Sequence, residues 1–319
     1  MRVDRLREQK AMPNLLRAWL LITLSTPLFT ATACNLSRIA ADQAGGIAAI
    51  SSGYMRGFWD YEVARAGTAS AIMQLEAMHS VTPQNETLAL ALASAYVGHT
   101  FGWVELDMER ASAEHEFAKA TRLRQRAELL YRRARDLALA TMRERDAAVD
   151  DMIKGDPPAF AEYLARKYPG HDDIAPVFWT ASAWGSMLAQ TDALDATIDL
   201  PMIRVMIEHV IKLDPSYESG TGLVFLGGVY AQTPAEYGGD VAKAKQYFEQ
   251  ALTLTKHRSH VVQLNYAKLF ALTTGDKALF HSLLNEIMAP EDQGSDVRLS
   301  NKIARMHAEL LLSVQAKSP

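Results

Sequence analysis

Histidine pairs and acidic runs are the first places where this sequence could hold a metal or move a proton. His257 and His260 stand three apart, a spacing that puts two imidazoles on one side of a helix. They sit at an Arg258-Ser259 junction with no nearby cysteine or paired acid, so no metal site is read there. Glu114-His115-Glu116 sends successive side chains to different helix faces and reads as solvated surface. Asp172-Asp173 follows the breaker Tyr168-Pro169-Gly170, which makes a turn with Asp173 as the cap of a helix starting at Ile174. The glycine-rich patterns that cradle phosphates or dinucleotides, the G-x-S-x-G and S-x-x-K nucleophile motifs and the H-E-x-x-H zinc motif are all absent. These residues describe a protein that is not an enzyme and that carries no metal or cofactor.

An aromatic set is the better candidate for binding. Phe178, Trp179, Trp184, Phe225, Tyr230 and Tyr237 fall in or beside two helical hairpins, where they could line a cavity for an apolar ligand with a polar end. Core packing is the competing reading for each of them. Trp179 lies off the stripe formed by Ala181, Trp184 and Leu188, and Tyr237 lies in a loop where packing does not require it. Trp179, Trp184, Tyr230 and Tyr237 are therefore the candidate ligand- or partner-binding residues.

The start of the chain has the layout of an export signal. Arg2, Arg5, Arg7, Lys10 and Arg17 precede the apolar run Ala18-Trp19-Leu20-Leu21-Ile22-Thr23-Leu24, and Ala31-Thr32-Ala33 stands before Cys34. Ser25-Thr26-Pro27 interrupts the apolar run, which leaves it too short for a permanent transmembrane helix. The basic leader is long, so translation starts either at Met1 or at Met12. Cys34 is the chain's one cysteine, which rules out an intrachain disulfide. Small residues before a lone Cys resemble a bacterial lipobox, with Ala31 where that pattern usually has Leu. Two outcomes stay open: lipidation of Cys34, or cleavage beside it that leaves a terminal thiol. Asn35 fits sorting to the outer membrane in the first case.

Residues 1–33 are thus a signal peptide, and 34–58, with Gly45-Gly46 and Ser51-Ser52-Gly53, are a lipidated tether or weak N-terminal helix. The leader carries five basic and two acidic residues, so its removal takes the formal charge from −4 to −7. An acidic exported protein has no use for nucleic acid.

Residues 59–319 read as one all-α domain, since no strand-like alternation is long enough to add a sheet. Its organising stretch is 212–256. Leu223, Leu226, Gly227 and Tyr230 share one face of a first helix, and Gly227 there lets a neighbour approach closely. In the second helix Ala244, Phe248 and Ala251 form a small-large-small stripe of the kind found in tetratricopeptide repeats. Tyr237-Gly238-Gly239-Asp240 closes the loop between them, the glycines turning the chain so that Asp240 caps the second helix. Ala181, Trp184, Gly185 and Leu188 repeat the first pattern, and Ile203, Ile207 and Val210 repeat the second. Leu92, Ala93 and Tyr96 echo the first as well, and Ala127, Tyr131 and Ala134 the second. The loops are longer than a regular repeat allows, so the expected architecture is an irregular TPR-like helical-hairpin solenoid. Arginines crowd 122–145, but the apolar stripe there and the interleaved Glu128, Asp136 and Glu144 predict a solvated amphipathic helix. Asp296 to Val314 is expected to cap the open end of the solenoid.

Several motifs, in order, resemble one known family. They are Asp60-Tyr61-Glu62 opening a helix, Thr82-Pro83-Gln84-Asn85-Glu86-Thr87-Leu88, Phe178-Trp179 ahead of Ala183-Trp184-Gly185, Leu213-Asp214-Pro215, Gly238-Gly239-Asp240, and Phe248-Glu249-Gln250-Ala251. Together, behind a lipoprotein-like signal, they resemble the TatT family, the T component of tetratricopeptide-associated TRAP transporters. The resemblance implies a periplasmic lipoprotein held by the lipid on Cys34, at the inner leaflet of the outer membrane. It implies a homo-oligomer, a trimer, that docks a periplasmic TRAP solute-binding protein and handles a small apolar or carboxylate ligand without transforming it. Two other readings compete: a general TPR scaffold assembling cell-envelope proteins, and a periplasmic enzyme on a helical solenoid.

Overall fold

The computed structural model describes residues 46–47, 54–191, 193–289 and 294–315. The signal peptide, Cys34 and most of the tether therefore lie outside the described residues. Among those described, the chain is helical with no strand.

Side-chain caps set five of the described helix starts. Asp60 accepts from the Val63 amide at 2.9 Å to begin α1 (Tyr61–Val81), and Asn85 accepts from Leu88 at 2.8 Å to begin α2 (Glu86–His99). α2 runs through a π-helical turn, Thr100–Glu105, into α3 (Leu106–Ala113). Next come the long α4 (Phe117–Arg145), the single turn α5 (Val149–Met152) and α6 (Pro157–Lys167), whose Asp156 caps it and whose Pro157 occupies the first turn. Asp173 sits at the start of α7 (Ile174–Leu188) but makes no cap bond to it. Its carboxylate instead accepts from the Gly170 amide at 2.9 Å and from Arg145 at 2.6 Å, so it closes the preceding turn.

α8 (Ala193–Leu213) and α9 (Tyr217–Gln232) lead to the loop before α10 (Val241–Thr255). α9 does not start as a plain helix. Glu218, Ser219 and Gly220 take φ values of 47, 58 and 74°, a left-handed turn ahead of the right-handed helix. Only Gly adopts that conformation without steric cost, so the two side-chain-bearing residues are strained. The chain then passes through α11 (His260–Asn265), a second π-helical turn at Tyr266–Ala271, α12 (Leu272–Thr274), α13 (Lys277–Met288) and α14 (Arg298–Gln315).

The small-large-small stripes form the packing seams. Ala244, Phe248 and Ala251 are all buried, as are Ile203, Ile207 and Val210, and Ala127, Tyr131 and Ala134. A Cβ on Gly227 would come within 2.7 Å of the Phe248 ring, and one on Gly185 within 2.3 Å of Phe225. Both glycines are thus required by close helix approach. Phe248 in turn stacks on Tyr266, centroids 4.6 Å apart and planes 7° from parallel.

The arginines of α4 divide in two. Arg132, Arg133, Arg135, Arg143 and Arg145 pair with Glu128, Glu76, Asp136, Asp150 and Glu86, whereas Arg122, Arg124 and Arg126 make no ion pair among the described residues.

α14 departs from the expected end cap. It packs on α11 and α13 and also returns to α3 and α1, so the end of the chain meets its beginning. With α1 on α2, α2 on α4, α4 on α7, α7 on α8, α8 on α9 and α9 on the second π-helical turn, the described helices make a closed circuit in place of an open stack.

Gly227→Ala should lower unfolding free energy by about 1–3 kcal/mol in urea titrations, because overpacking against Phe248 outweighs the gain in helix propensity. Gly67→Ala, in α1 with nothing near its added Cβ, should instead stabilise by up to about 1 kcal/mol.

Candidate functional site

The helices border a half-open cavity of about 1770 Å³, larger than the usual small-molecule pocket of roughly 300–1,000 Å³. Its wall draws on distant parts of the chain: Ala71 from α1, Ser186 from α7, Val224 from α9, Leu269 from the second π-helical turn and Ile303 from α14. Most of that wall is apolar. The charged groups on it fall in distinct places, with Arg124 standing apart from the rest.

One group is built around two glutamates a turn apart. Glu105 ends the first π-helical turn and Glu109 lies on α3. The Tyr131 hydroxyl donates to Glu105 at 2.6 Å and the Gln190 amide donates at 3.1 Å. Glu109 takes a bond from Lys268 at 2.5 Å on one oxygen and from the His307 ring at 2.7 Å on the other. His307 is fully buried and stacks on Phe101 at 5.3 Å.

The two carboxyls behave oppositely. Burial pushes Glu105 above the ordinary carboxylate range, and the Tyr131 bond and the Lys268 charge only partly oppose it. Burial works in the same direction on Glu109, but the His307 bond and the Lys268 charge overcome it and hold that carboxyl at about 2.

A second polar group lies where residues 54–58 meet α9. Arg56 pairs with Glu218 at 2.9 Å, and Met55, Ser219 and Thr221 share that part of the wall. The strained left-handed turn therefore forms part of the cavity. A third group consists of His99 and Trp103, whose rings lie 5.5 Å apart.

Of the four aromatic candidates, Tyr237 alone lines the cavity; it is 74% exposed and stands in the short 3-10 turn Ala235–Tyr237. Gly238 follows at φ 90°, and a Cβ on Gly239 would lie 1.7 Å from the Thr233 carbonyl oxygen, so both positions need glycine. Asp240 accepts from the Lys243 amide at 2.9 Å and so caps α10. Trp184 is buried away from the cavity wall, its indole donating to Asp199 at 3.0 Å under the Arg135 guanidinium. Tyr230 is also buried, accepts from Lys243 at 2.7 Å and stacks on Tyr247. Trp179 packs edge-on against Phe178, centroids 4.9 Å apart, on the outer side of the core. Phe225, named as part of the aromatic set, does line the cavity.

The family model for the TRAP transporter T-component matches residues 59–317. The chain belongs to this family. That is a family of transporter components and not of enzymes. An uncharacterized protein of Treponema pallidum (strain Nichols) is 26% identical over 237 residues, covering 72% of each chain. Among the described residues no helix is long and apolar enough to cross a membrane.

Glu105, Glu109, Lys268, His307, His99 and Trp103 escaped the sequence reading. The signal for some of them was present: Glu105 interrupts the apolar run Phe101-Gly102-Trp103-Val104 and Leu106, and Lys268 interrupts Tyr266-Ala267 and Leu269-Phe270. A charged residue inside an apolar run at helical spacing marks a buried or cavity-facing ion.

Glu109 binds its proton less tightly folded than unfolded, so its contribution is present above pH 4.5 and lost as pH falls toward 2. Acid titration followed by circular dichroism should show a loss on the order of 3 kcal/mol across that window, absent from Glu109→Gln, which starts less stable at pH 7. Glu105 has the opposite sign, since its proton is held more tightly in the folded state. Its penalty grows as pH rises above 4.5, so Glu105→Gln should be neutral or stabilising at pH 7.

Proposed function

We propose that this TRAP transporter T-component is a periplasmic lipoprotein that docks a TRAP solute-binding protein and holds a small apolar or carboxylate ligand in its central cavity without transforming it. The observation that carries the reading is the cavity itself. About 1770 Å³ of mostly apolar concave space, walled by elements from both ends of the described chain, supports ligand burial over a scaffold role alone. The ionised carboxylate of the Glu105–Glu109 cluster is committed to Lys268 and His307, which favours a structural role for it over that of a general base.

Lipid on Cys34 would hold the chain at the inner leaflet of the outer membrane, with residues 34–58 as tether. Homo-oligomerisation as a trimer and TPR-like repeat ancestry belong to the same proposal. The matched hairpins at 181–215 and 212–256 support the repeats, and the enlarged loop at 233–240 supports a contact surface beside the cavity. In this arrangement Tyr237, exposed on that loop at the cavity wall, meets the partner or the ligand.

The test pairs the purified protein with a TRAP solute-binding protein from the same organism. A complex on size exclusion and a measurable Kd are expected, and Tyr237→Ala should weaken binding while leaving the helical circular dichroism unchanged. A solute-binding protein that never associates removes the docking assignment; a Tyr237→Ala chain that binds like the parent removes that residue's role. Labelled palmitate should be incorporated in cells and lost in Cys34→Ala.

A further inference from the structure

We infer that the basic pocket between α3 and α4 is a phosphate-binding site, taking the phosphate of a lipid headgroup or a soluble one. The pocket has a volume of about 360 Å³. It is lined by Asp107 and Arg110 from α3 and by Lys119, Arg122, Leu123 and Arg126 from α4. It shares no lining residue with the central cavity, so the inference stands apart from the ligand reading above. Residues 114–116 alone join the two helices, and Leu123 packs against the main core, so both walls are held in place.

Four cations and one acid line this pocket, in a chain whose formal charge is −4. The acid, Asp107, is already shared: Arg65 pairs with it at 2.5 Å and Arg110 at 3.6 Å. Lys119 pairs with Glu116 at 2.6 Å, outside the lining. The charges of Glu62 and Glu114 reach Arg65 and Lys119 from the edge, and neither acid lines the pocket. Arg122 and Arg126 remain, exposed to solvent and without an ion pair among the described residues. Both are therefore open to an incoming anion.

This placement runs against helix electrostatics. Lys119, Arg122 and Arg126 stand three and four residues apart on one face of α4, where like charges repel. Lys119 is in the first turn, the end at which the helix dipole disfavours a cation, and no acid sits in that turn. At the other end Arg143 and Arg145 are both favourably placed and paired. An anion in the pocket relieves the repulsion. Two unpaired guanidiniums match the charge of about −1.5 to −2 that a phosphate monoester carries at pH 7, and their forked donors suit its oxygens. Arg124, by contrast, lines the cavity and is not part of this pocket.

Calorimetric titration of the purified protein at low ionic strength tests the site with two probes, inorganic phosphate and glycerophosphoglycerol, the soluble head of an anionic phospholipid. Binding of at least one is expected, weakened about tenfold in Arg126→Gln and fading in high salt. Arg166→Gln removes the same charge from an exposed arginine on α6 and should leave that binding unchanged. Thermal melting of Arg126→Gln by circular dichroism should match or exceed the parent, so that lost binding is not lost fold. Tighter binding of glycerophosphoglycerol assigns the pocket to a lipid headgroup, and phosphate binding at least as tight assigns it to a soluble phosphate. Failure of both probes to bind, binding untouched by Arg126→Gln, or equal weakening in the two variants overturns the phosphate site. So does loss of the solute-binding protein complex in Arg122→Gln/Arg126→Gln while neither probe binds, a result that gives the pocket to an acidic protein surface.

Discussion

The partly buried carboxylate of Glu109 is the interaction that ties the closed architecture together. Lys268 and His307 reach it from positions 159 and 198 residues further along the chain. Removing a carboxylate from water is costly, and here two donors on different elements offset that cost only when both are in place. The condition is therefore global: α3, the second π-helical turn and α14 must all be docked before the charge is matched. An unpaired charge in any partly assembled form would be penalised, which favours the closed circuit over open stacks of the same hairpins.

Closure also explains the two π-helical turns. An α-helix repeats every 3.6 residues, so a face that must pack on neighbours above and below leaves little freedom to aim a side chain inward. One extra residue per turn shifts the register. In the first such turn it sets Trp103 and Glu105 on the cavity wall beside His99; in the second it does so for Lys268 and Leu269. The left-handed turn at Glu218 and Ser219 is a third irregularity on the same wall. These three departures from regular helix border the cavity, whereas the regular stretches with Gly227 and Phe248 form a packing seam.

That division decides what could be read from the sequence. The stripes Ala244, Phe248, Ala251 and Ile203, Ile207, Val210 were legible because helix packing is a local, periodic property, and so were the helix openings at Asp60 and Asp240. Asp173 was misplaced because an acidic residue before a helix has two ways to use its carboxylate, and here Arg145 and the Gly170 amide win over the helix amides. The cluster at Glu109 was not legible, since no spacing rule joins positions 109, 268 and 307. Nor was closure: a capping helix and a closing helix share the same amphipathic pattern and differ only in which surface they meet. Trp184 and Tyr230 were drawn toward the site by residue type, but a large ring beside a glycine on a packing face fills the seam, and both rings do so. Tyr237 differed by standing in a loop, where no seam needs filling.

The polar groups around the cavity suit retention followed by release better than permanent capture. Glu109 and Lys268 neutralise each other, so the largest charges on the wall are already satisfied and add little net attraction for a ligand. Burial keeps Glu105 closer to its neutral form, which avoids an anion that would repel an acidic ligand. What is left is mostly apolar area, with Arg124 as a cation on the wall that makes no ion pair among the described residues. A component that passes its ligand to a partner needs that balance, because binding energy held in many strong polar contacts would have to be broken at each transfer. On the proposed reading, the apolar wall supplies capture by burial and the sparse polar ends supply direction.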